Sequence, residues 1–296
     1  MWAAVWLLGD RAALGIGLSD AEAVPTEAAQ TLARLTIVAL TTFALSVAIT
    51  RARRALIASV TEARLRANLS RYFSPSVVDE LANAGDAART FRLQKAAVLF
   101  ADIRGFTAVA EVTPVAEVAQ LLAEYRGLAA NVINRHGGTI DKFVGDAVMA
   151  VFGVPHPSPR DAANAAQAGL KLLSAVEQWN VDRGDRGQPP VEVGVGVHYG
   201  DVLAGALGDE HRLEYTVIGD TVNTAERIER LTRTLGAPVL LSAEVLNAET
   251  APSDSRHWEA LPPQRLRGRS RPIQLYRLAA EETLGRSTAP ERASQT

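Results

Sequence analysis

The stretch KAAVLFAD, residues 95–102, and the stretch GTIDKFVGDAVMAVFG, residues 138–153, decide the fold class between them. The first is a continuous apolar run closed by an acid, the pattern of a buried strand. The second divides into two short strands, GTIDKFV and AVMAVFG, around a Gly145–Asp146 turn. Pro114 to His136, between the two stretches, has a helical pattern that Gly137–Gly138 stops. Downstream, Arg160 to Asn180 is a second long helix rich in Ala and Leu. VEVGVGVHYG is a further strand, and EYTVIGD leads into a helix beginning near Thr221. Strands alternating with long helices imply an α/β or α+β domain, one sheet carrying helices on one face.

Outward from this core, which begins near Phe91, the composition narrows the possibilities. The chain has 296 residues and a net charge of −2, so no nucleic-acid footprint is expected. It has no cysteine, which removes disulfides, thiolate metal sites and a cysteine nucleophile together. Lysine occurs only at Lys95, Lys142 and Lys171 in a composition that strongly favours arginine, so a retained lysine is worth a question.

Leu35 to Thr50 is free of charge and ends abruptly at Arg51, Arg53 and Arg54. Those residues span about 24 Å as a helix, somewhat short of a bilayer core. Thr31, Leu32 and Ala33 can extend the run while Arg34 snorkels, which gives an expected span of residues 32–50. The arginine cluster places the domain downstream of it on the cytoplasmic side of the inner membrane. A buried core helix is the alternative reading. Trp2 to Leu18, broken by Asp10 and Arg11, is either a second membrane segment or the remnant of one. Nothing ahead of the core looks long enough for a ligand-binding domain. Ala55 to Leu69 is amphipathic, with Leu56, Val60 and Ala63 at helical spacing, and could pair with its twin in a dimer. Pro75 marks another helix start. The expected organisation is an anchor region over 1–54, a linker helix over 55–90, a catalytic domain over 91–279 and a disordered tail over 280–296.

Asp102 ends the first strand and Asp146 sits in the hairpin turn, so neighbouring strands would bring both carboxylates together. Mg²⁺ takes hard oxygen ligands, commonly one or two carboxylates plus substrate phosphates. The Ile103-Arg104-Gly105-Phe106-Thr107 turn then enters a helix and offers backbone N–H groups to an anion. Asn223 and Arg227, four apart, share one helix face.

FADIRGFT, GTIDKFVGDAVMAVFG and LEYTVIGDTVNTAERIE, in that order and spacing, resemble the catalytic domain of class III nucleotide cyclases. The resemblance covers roughly Lys95 to Leu278. It implies a ferredoxin-like βαββαβ sheet, in an α+β domain, with helices on one face. It further implies that Asp102 and Asp146, with the Ile103 carbonyl, hold two Mg²⁺ or Mn²⁺ ions. By the same resemblance, backbone at Phe106 and Thr107 cradles the triphosphate, Asn223 orients the ribose and Arg227 stabilises charge at phosphorus. RLRGRSRP resembles a segment whose usual lysine contacts the terminal phosphates; Arg267 stands there, with Arg269 beside it. Glu226 departs from the small residue usual next to the catalytic arginine, and could pair with a neighbouring arginine.

Lys142 and Thr216 match the two positions that read the purine. A lysine donor suits the N1 acceptor of adenine and a hydroxyl can take the 6-amino proton, so ATP is the expected substrate. The Lys–Thr pairing resembles the subgroup that includes bicarbonate-responsive cyclases, so bicarbonate regulation is expected. The family's active site lies between two domains, and this chain carries each half once, so a homodimer with two shared sites is implied. The rival readings are a guanylyl cyclase, a catalytically dead nucleotide-binding module, a dinucleotide cyclase or polymerase palm on the same fold, and a structural membrane adaptor.

Overall fold

The computed structural model describes residues 27–69, 77, 91–208, 213–248 and 258–279. The Trp2–Leu18 stretch, the helix start at Pro75 and the 280–296 tail lie outside the described residues. The chain divides into two compact units, Met1–Asn68 and Leu69–Thr296.

In the first unit, α1 (Glu27–Leu69) is one unbroken helix that carries both the apolar run and the stretch after Arg54. Its segment Gln30–Val60 is long and apolar enough to cross a membrane. Leu32, Leu35, Phe43, Leu45 and Leu56 are all exposed. The threonine hydroxyls inside the apolar run are satisfied within the helix. Thr36 donates to the Leu32 carbonyl at 2.8 Å, Thr42 to Val38 at 2.7 Å and Thr50 to Ser46 at 2.9 Å. Such back-bonding leaves little polar surface for an apolar surrounding to solvate.

The second unit is a mixed α+β sheet. Its elements are β1 (Arg92–Ile103), α2 (Phe106–Val112), α3 (Val115–Arg135), β2 (Thr139–Val144), β3 (Ala147–Phe152), α4 (Asp161–Asp185) and β4 (Val193–Gly208). They continue as β5 (Leu213–Ile218), α5 (Asp220–Thr234), β6 (Val239–Ser242), α6 (Ala243–Leu246), β7 (Trp258–Ala260) and β8 (Leu275–Leu278). The strand order is β2-β3-β1-β4-β6-β8-β7, with β5 on the far half of β4. β1 runs antiparallel to both β3 and β4, so β1-α3-β2-β3-α4-β4 forms the expected βαββαβ unit. β6, β8 and β7 extend the sheet, and α6 follows β6, beyond the elements the sequence pattern picks out.

β1 is apolar without alternation because both its faces are covered. Ala97, Leu99, Ala101 and Ile103 enter the core under α3 and α4. Ala96, Val98 and Phe100 enter a second core with Met149, Val202, Val217 and Ala225. On the first face α3 buries a single stripe, Leu121, Tyr125, Ala129 and Ile133, at a spacing of four. The two long helices thus share one face, as expected, while α5 and β5 cover the other. The glycines of β4 explain how α5 fits. A side-chain carbon at Gly196 would lie 2.6 Å from the Glu229 Cα and 2.9 Å from the Ala225 carbonyl oxygen. One at Gly200 would lie 2.7 Å from the Thr221 hydroxyl. The alternating glycines of VGVGVHYG therefore make a smooth floor on which the α5 backbone rests.

Candidate active site

Asp102 is the next-to-last residue of β1, paired with Gly194 of β4 and just past the last residue that pairs with β3. Asp146 follows Gly145, whose φ of +63° is the left-handed conformation that makes the two-residue turn. Arg126 of α3 fastens that turn: its guanidinium donates to the Gly145 carbonyl at 2.6 Å and lies 5.0 Å from the Phe143 ring centroid. The hairpin is thereby held so that Asp146 meets Asp102. Arg104 does the corresponding work on the other side. It donates to the Thr232 and Ala237 carbonyls at 3.2 and 3.0 Å, which ties the turn after β1 to the end of α5.

Asp102 and Asp146 line a cleft of about 510 Å³ with Lys142, Thr216, Glu226 and Glu229. Burial pushes the Asp102 pKa up to about 7, and the hydrogen bond and charge of Asp146 push the same way. Glu229 is raised to about 7 chiefly by burial. Asp102 Oδ1 is buried without a hydrogen-bond partner. Two crowded carboxylates, one with an orphaned oxygen, are a donor set that a hard divalent cation would relieve. Among the described residues no group of three or more His, Cys, Asp or Glu is arranged as a protein cage. The pair therefore fits a cation that completes its shell with other oxygens. The Ile103 side chain is buried, so only its backbone can join them.

At the other end of the cleft, Lys142 pairs with Glu214 of β5 and lies 3.5 Å from Asp141. The Thr216 hydroxyl donates to Asp141 at 3.0 Å. Phe106 and Thr107 open α2 just after Gly105, whose φ is +70°. Phe106 packs against the main core while Thr107 is exposed.

Asn223 and Arg227 do not line this cleft. They lie on another face of α5, Asn223 exposed and Arg227 half-buried. The loop carrying Arg267 passes over that face. A side-chain carbon at Gly268 would be 3.6 Å from the Arg227 guanidinium. Arg269 donates to Thr224 at 3.3 Å and pairs with Asp220 at 3.4 Å, whereas Arg267 is exposed. Glu226 pairs with Arg230 at 2.5 Å, the arginine partner that its position allowed.

Residues 89–278 match the family described as the adenylate and guanylate cyclase catalytic domain. The chain belongs to that family. An adenylate cyclase of Anabaena cylindrica is 33% identical over 201 residues, covering 66% of this chain and 38% of that protein. Among solved structures, the adenylyl cyclase CyaB from P. aeruginosa matches with a TM-score of 0.57 at 30% identity, covering 64% of this chain and 96% of the other. The guanylyl cyclase Cya2 matches with the same TM-score and identity, covering 64% of this chain and 93% of that one. The chain spans about a third of the length of the curated relatives it matches. Cyclase domains of this class generally use divalent metal ions, in keeping with the acidic pair.

Likeness to both an adenylyl and a guanylyl cyclase leaves base choice to the side chains of this cyclase domain. Several of these are not singled out by the sequence. Glu214 and Glu229 line the cleft, and Asp141 stands behind Lys142 and Thr216, from positions that look like ordinary charged surface in the chain. The one available signal is the alternation of glycine in β4, which announces a close approach of backbone to that strand.

Proposed function

We propose that the chain is an adenylyl cyclase, converting ATP to 3′,5′-cyclic AMP and pyrophosphate at sites shared between two copies. The observation that carries this reading is the desolvated Asp102 set against Asp146, in a chain that also places Lys142 and Thr216 along the same cleft. In the reaction, a bond forms from the ribose 3′-oxygen to the α-phosphorus and the bond from that phosphorus to the pyrophosphate oxygen breaks. The 3′ proton leaves to solvent. Asp102 and Asp146, with the Ile103 carbonyl, are the residues that would hold two Mg²⁺ or Mn²⁺ ions, whose chemistry is to acidify the 3′-hydroxyl and neutralise the triphosphate.

Lys142 donates to adenine N1 and Thr216 accepts from the 6-amino group. Asn223 orients the ribose and Arg227 steadies charge on the pentavalent phosphorus, both from the copy that supplies Lys142 and Thr216, while its partner copy supplies Asp102 and Asp146. Backbone N–H groups at Phe106 and Thr107 and the exposed Arg267 bind the phosphates. Arg267 replaces a point charge with a planar fork, a tolerated exchange at a solvated end of the substrate. The position of Asn223 and Arg227 outside the acidic cleft favours a homodimer, since one copy offers the two groups to different surroundings. α1 tethers the protein to the inner membrane with the catalytic domain in the cytoplasm. Bicarbonate stimulates this cyclase on the same reading, and unchanged activity on adding it at fixed pH would exclude that part.

The deciding experiment is product analysis of the full chain with Mn²⁺ and either ATP or GTP, beside Asp146→Ala. Cyclic AMP from ATP alone, lost in the variant, is the expected result. Cyclic GMP would transfer the assignment to a guanylyl cyclase. A folded protein with no product from either nucleotide would make it a nucleotide-binding signalling module.

A further inference from the structure

A threonine hydroxyl is a poor judge of purines. It has one proton and two lone pairs, so it can accept from the 6-amino group of adenine or turn and donate to the 6-carbonyl of guanine. Selectivity through Thr216 therefore needs something that prevents the turn.

The structure supplies it at a break in strand pairing. In the β2–β3 hairpin, Ile140 pairs with Ala150 and Lys142 with Met149, so Asp141 is an extra residue with no partner on β3. A bulge of this kind re-aims a side chain and lets consecutive residues serve one side of a strand. Here Asp141 and Lys142 are both turned towards β5. The Asp141 side chain is only 5% exposed, and a single oxygen, Oδ2, meets both base-reading groups. The Thr216 hydroxyl lies 3.0 Å from it and the Lys142 ammonium 3.5 Å. A carboxylate only accepts hydrogen bonds, so the proton in the Thr216 contact belongs to the threonine. Burial raises the Asp141 pKa, while the adjacent ammonium and the donated hydroxyl favour its anion.

We propose that Asp141 is a specificity-determining positioning residue: by taking the Thr216 proton it leaves Thr216 only lone pairs, so the cleft accepts a 6-aminopurine and refuses a 6-oxopurine. The inference rests on the reading of Lys142 and Thr216 as base-contacting groups. Lys142 has three donors, and its two carboxylate partners, Glu214 and Asp141, leave one for the ring nitrogen. Adenine presents an acceptor at N1 and a donor at its amino group, which match this donor and this acceptor. Guanine presents a donor at N1 to the ammonium and an acceptor at O6 to the lone pairs, so both contacts repel.

The test compares kcat/KM for ATP and GTP with Mn²⁺ in the full chain. Asparagine in Asp141→Asn keeps the shape but can donate to the Thr216 oxygen, which returns the hydroxyl proton to the site. The ATP:GTP ratio is expected to fall about tenfold or more, part of it as a gain with GTP. Thr216→Val should lower the rate with ATP without any gain for GTP. Asp141→Asn should then shift the ratio no further in the Thr216→Val background. A readout apart from turnover is the melting shift that each nucleotide produces: ATP exceeds GTP in the parent protein, and the two converge in Asp141→Asn. A folded Asp141→Asn with an unchanged ratio, or one that shifts the ratio equally without the Thr216 hydroxyl, overturns the proposal. Should Asp141→Asn not fold, Asp141→Ala frees the same hydroxyl and must lower the ratio in the same direction. If Lys142→Ala leaves the ratio unchanged, the base-site reading itself fails. If selectivity depends on Lys142 and Thr216 but not on Asp141, only this proposal fails.

Discussion

The floor of the acidic cleft and the outward face of α5 carry chemistry under opposite electrostatic conditions. In the cleft, Asp102 is desolvated beside a like charge and keeps an oxygen without a partner, so its ionised form is costly until a cation arrives. On α5, Asn223 is exposed, Arg227 is only half-buried, and the neighbouring charges are already matched, with Arg269 on Asp220. One region is built with a deficit that a ligand must fill, and the other is stable as it stands. The difference teaches that the protomer concentrates its unmet charge at the acidic pair and leaves Asn223 and Arg227 in a solvent-ready state. It also leaves the two groups on different surfaces, which is the arrangement the proposed homodimer would use.

The strongest way to break this comparison is complementation. Asp102→Ala and Arg227→Ala should each lower activity by on the order of a thousandfold, in line with the loss of groups that act in the transition state. A mixture of the two should recover about a quarter of the parent activity, since half of the randomly formed dimers keep one whole site. Mixed dimers that form without recovering activity would show that both groups serve one nucleotide from one copy.

A smaller effect sharpens the contrast in charge. Because the folded pKa of Asp102 is about 7 against an ordinary 3.8, its contribution to stability is full below pH 3.8 and is lost as pH rises to about 7. Asp102→Asn should therefore raise the metal-free melting temperature at pH 8, by about 5 °C, and abolish the further rise that Mn²⁺ gives the parent protein. Melting curves with and without Mn²⁺ check both halves; a variant less stable than its parent without metal would remove the idea of a strained floor.

The smallest expected effect has the opposite sign and lies under the α5 side of β4. His198 is buried, hydrogen-bonded to the Ser242 hydroxyl at 2.8 Å, and burial holds its pKa down at about 4. The unfolded chain gains a proton near pH 6.5 that the folded one refuses, so stability falls as pH drops from 6.5 to 4. His198→Gln should flatten that slope, by about 2 °C in melting temperature across the interval. An unchanged slope would assign the acid sensitivity elsewhere.

Much of the site was legible because its parts are local. KAAVLFAD is apolar on both faces and ends in an acid, and Gly145–Asp146 sits between two short apolar runs, so strand, hairpin and both carboxylates follow from neighbours in the chain. Helical spacing puts Asn223 and Arg227 on one face, but only the resemblance of LEYTVIGDTVNTAERIE to the family motif marks them as site residues. β6, β7 and β8 were not legible, because their few residues carry too little periodicity to stand apart from loop. The placement of α5 on the second face was written only indirectly, in glycines whose purpose appears once another backbone is laid against them.

By itself the sequence determined the family, the βαββαβ order, the acidic pair and the lysine and threonine proposed to read the base, since each depends on residue type at short range. Only the tertiary structure decided that Asp102 loses its water, that Asn223 and Arg227 look away from the acidic cleft, and that Asp141 captures the Thr216 proton. Burial and hydrogen-bond direction are properties of groups brought together from distant parts of the chain. In the case of Asp141 they depend on one unpaired residue in a hairpin, which no periodicity announces.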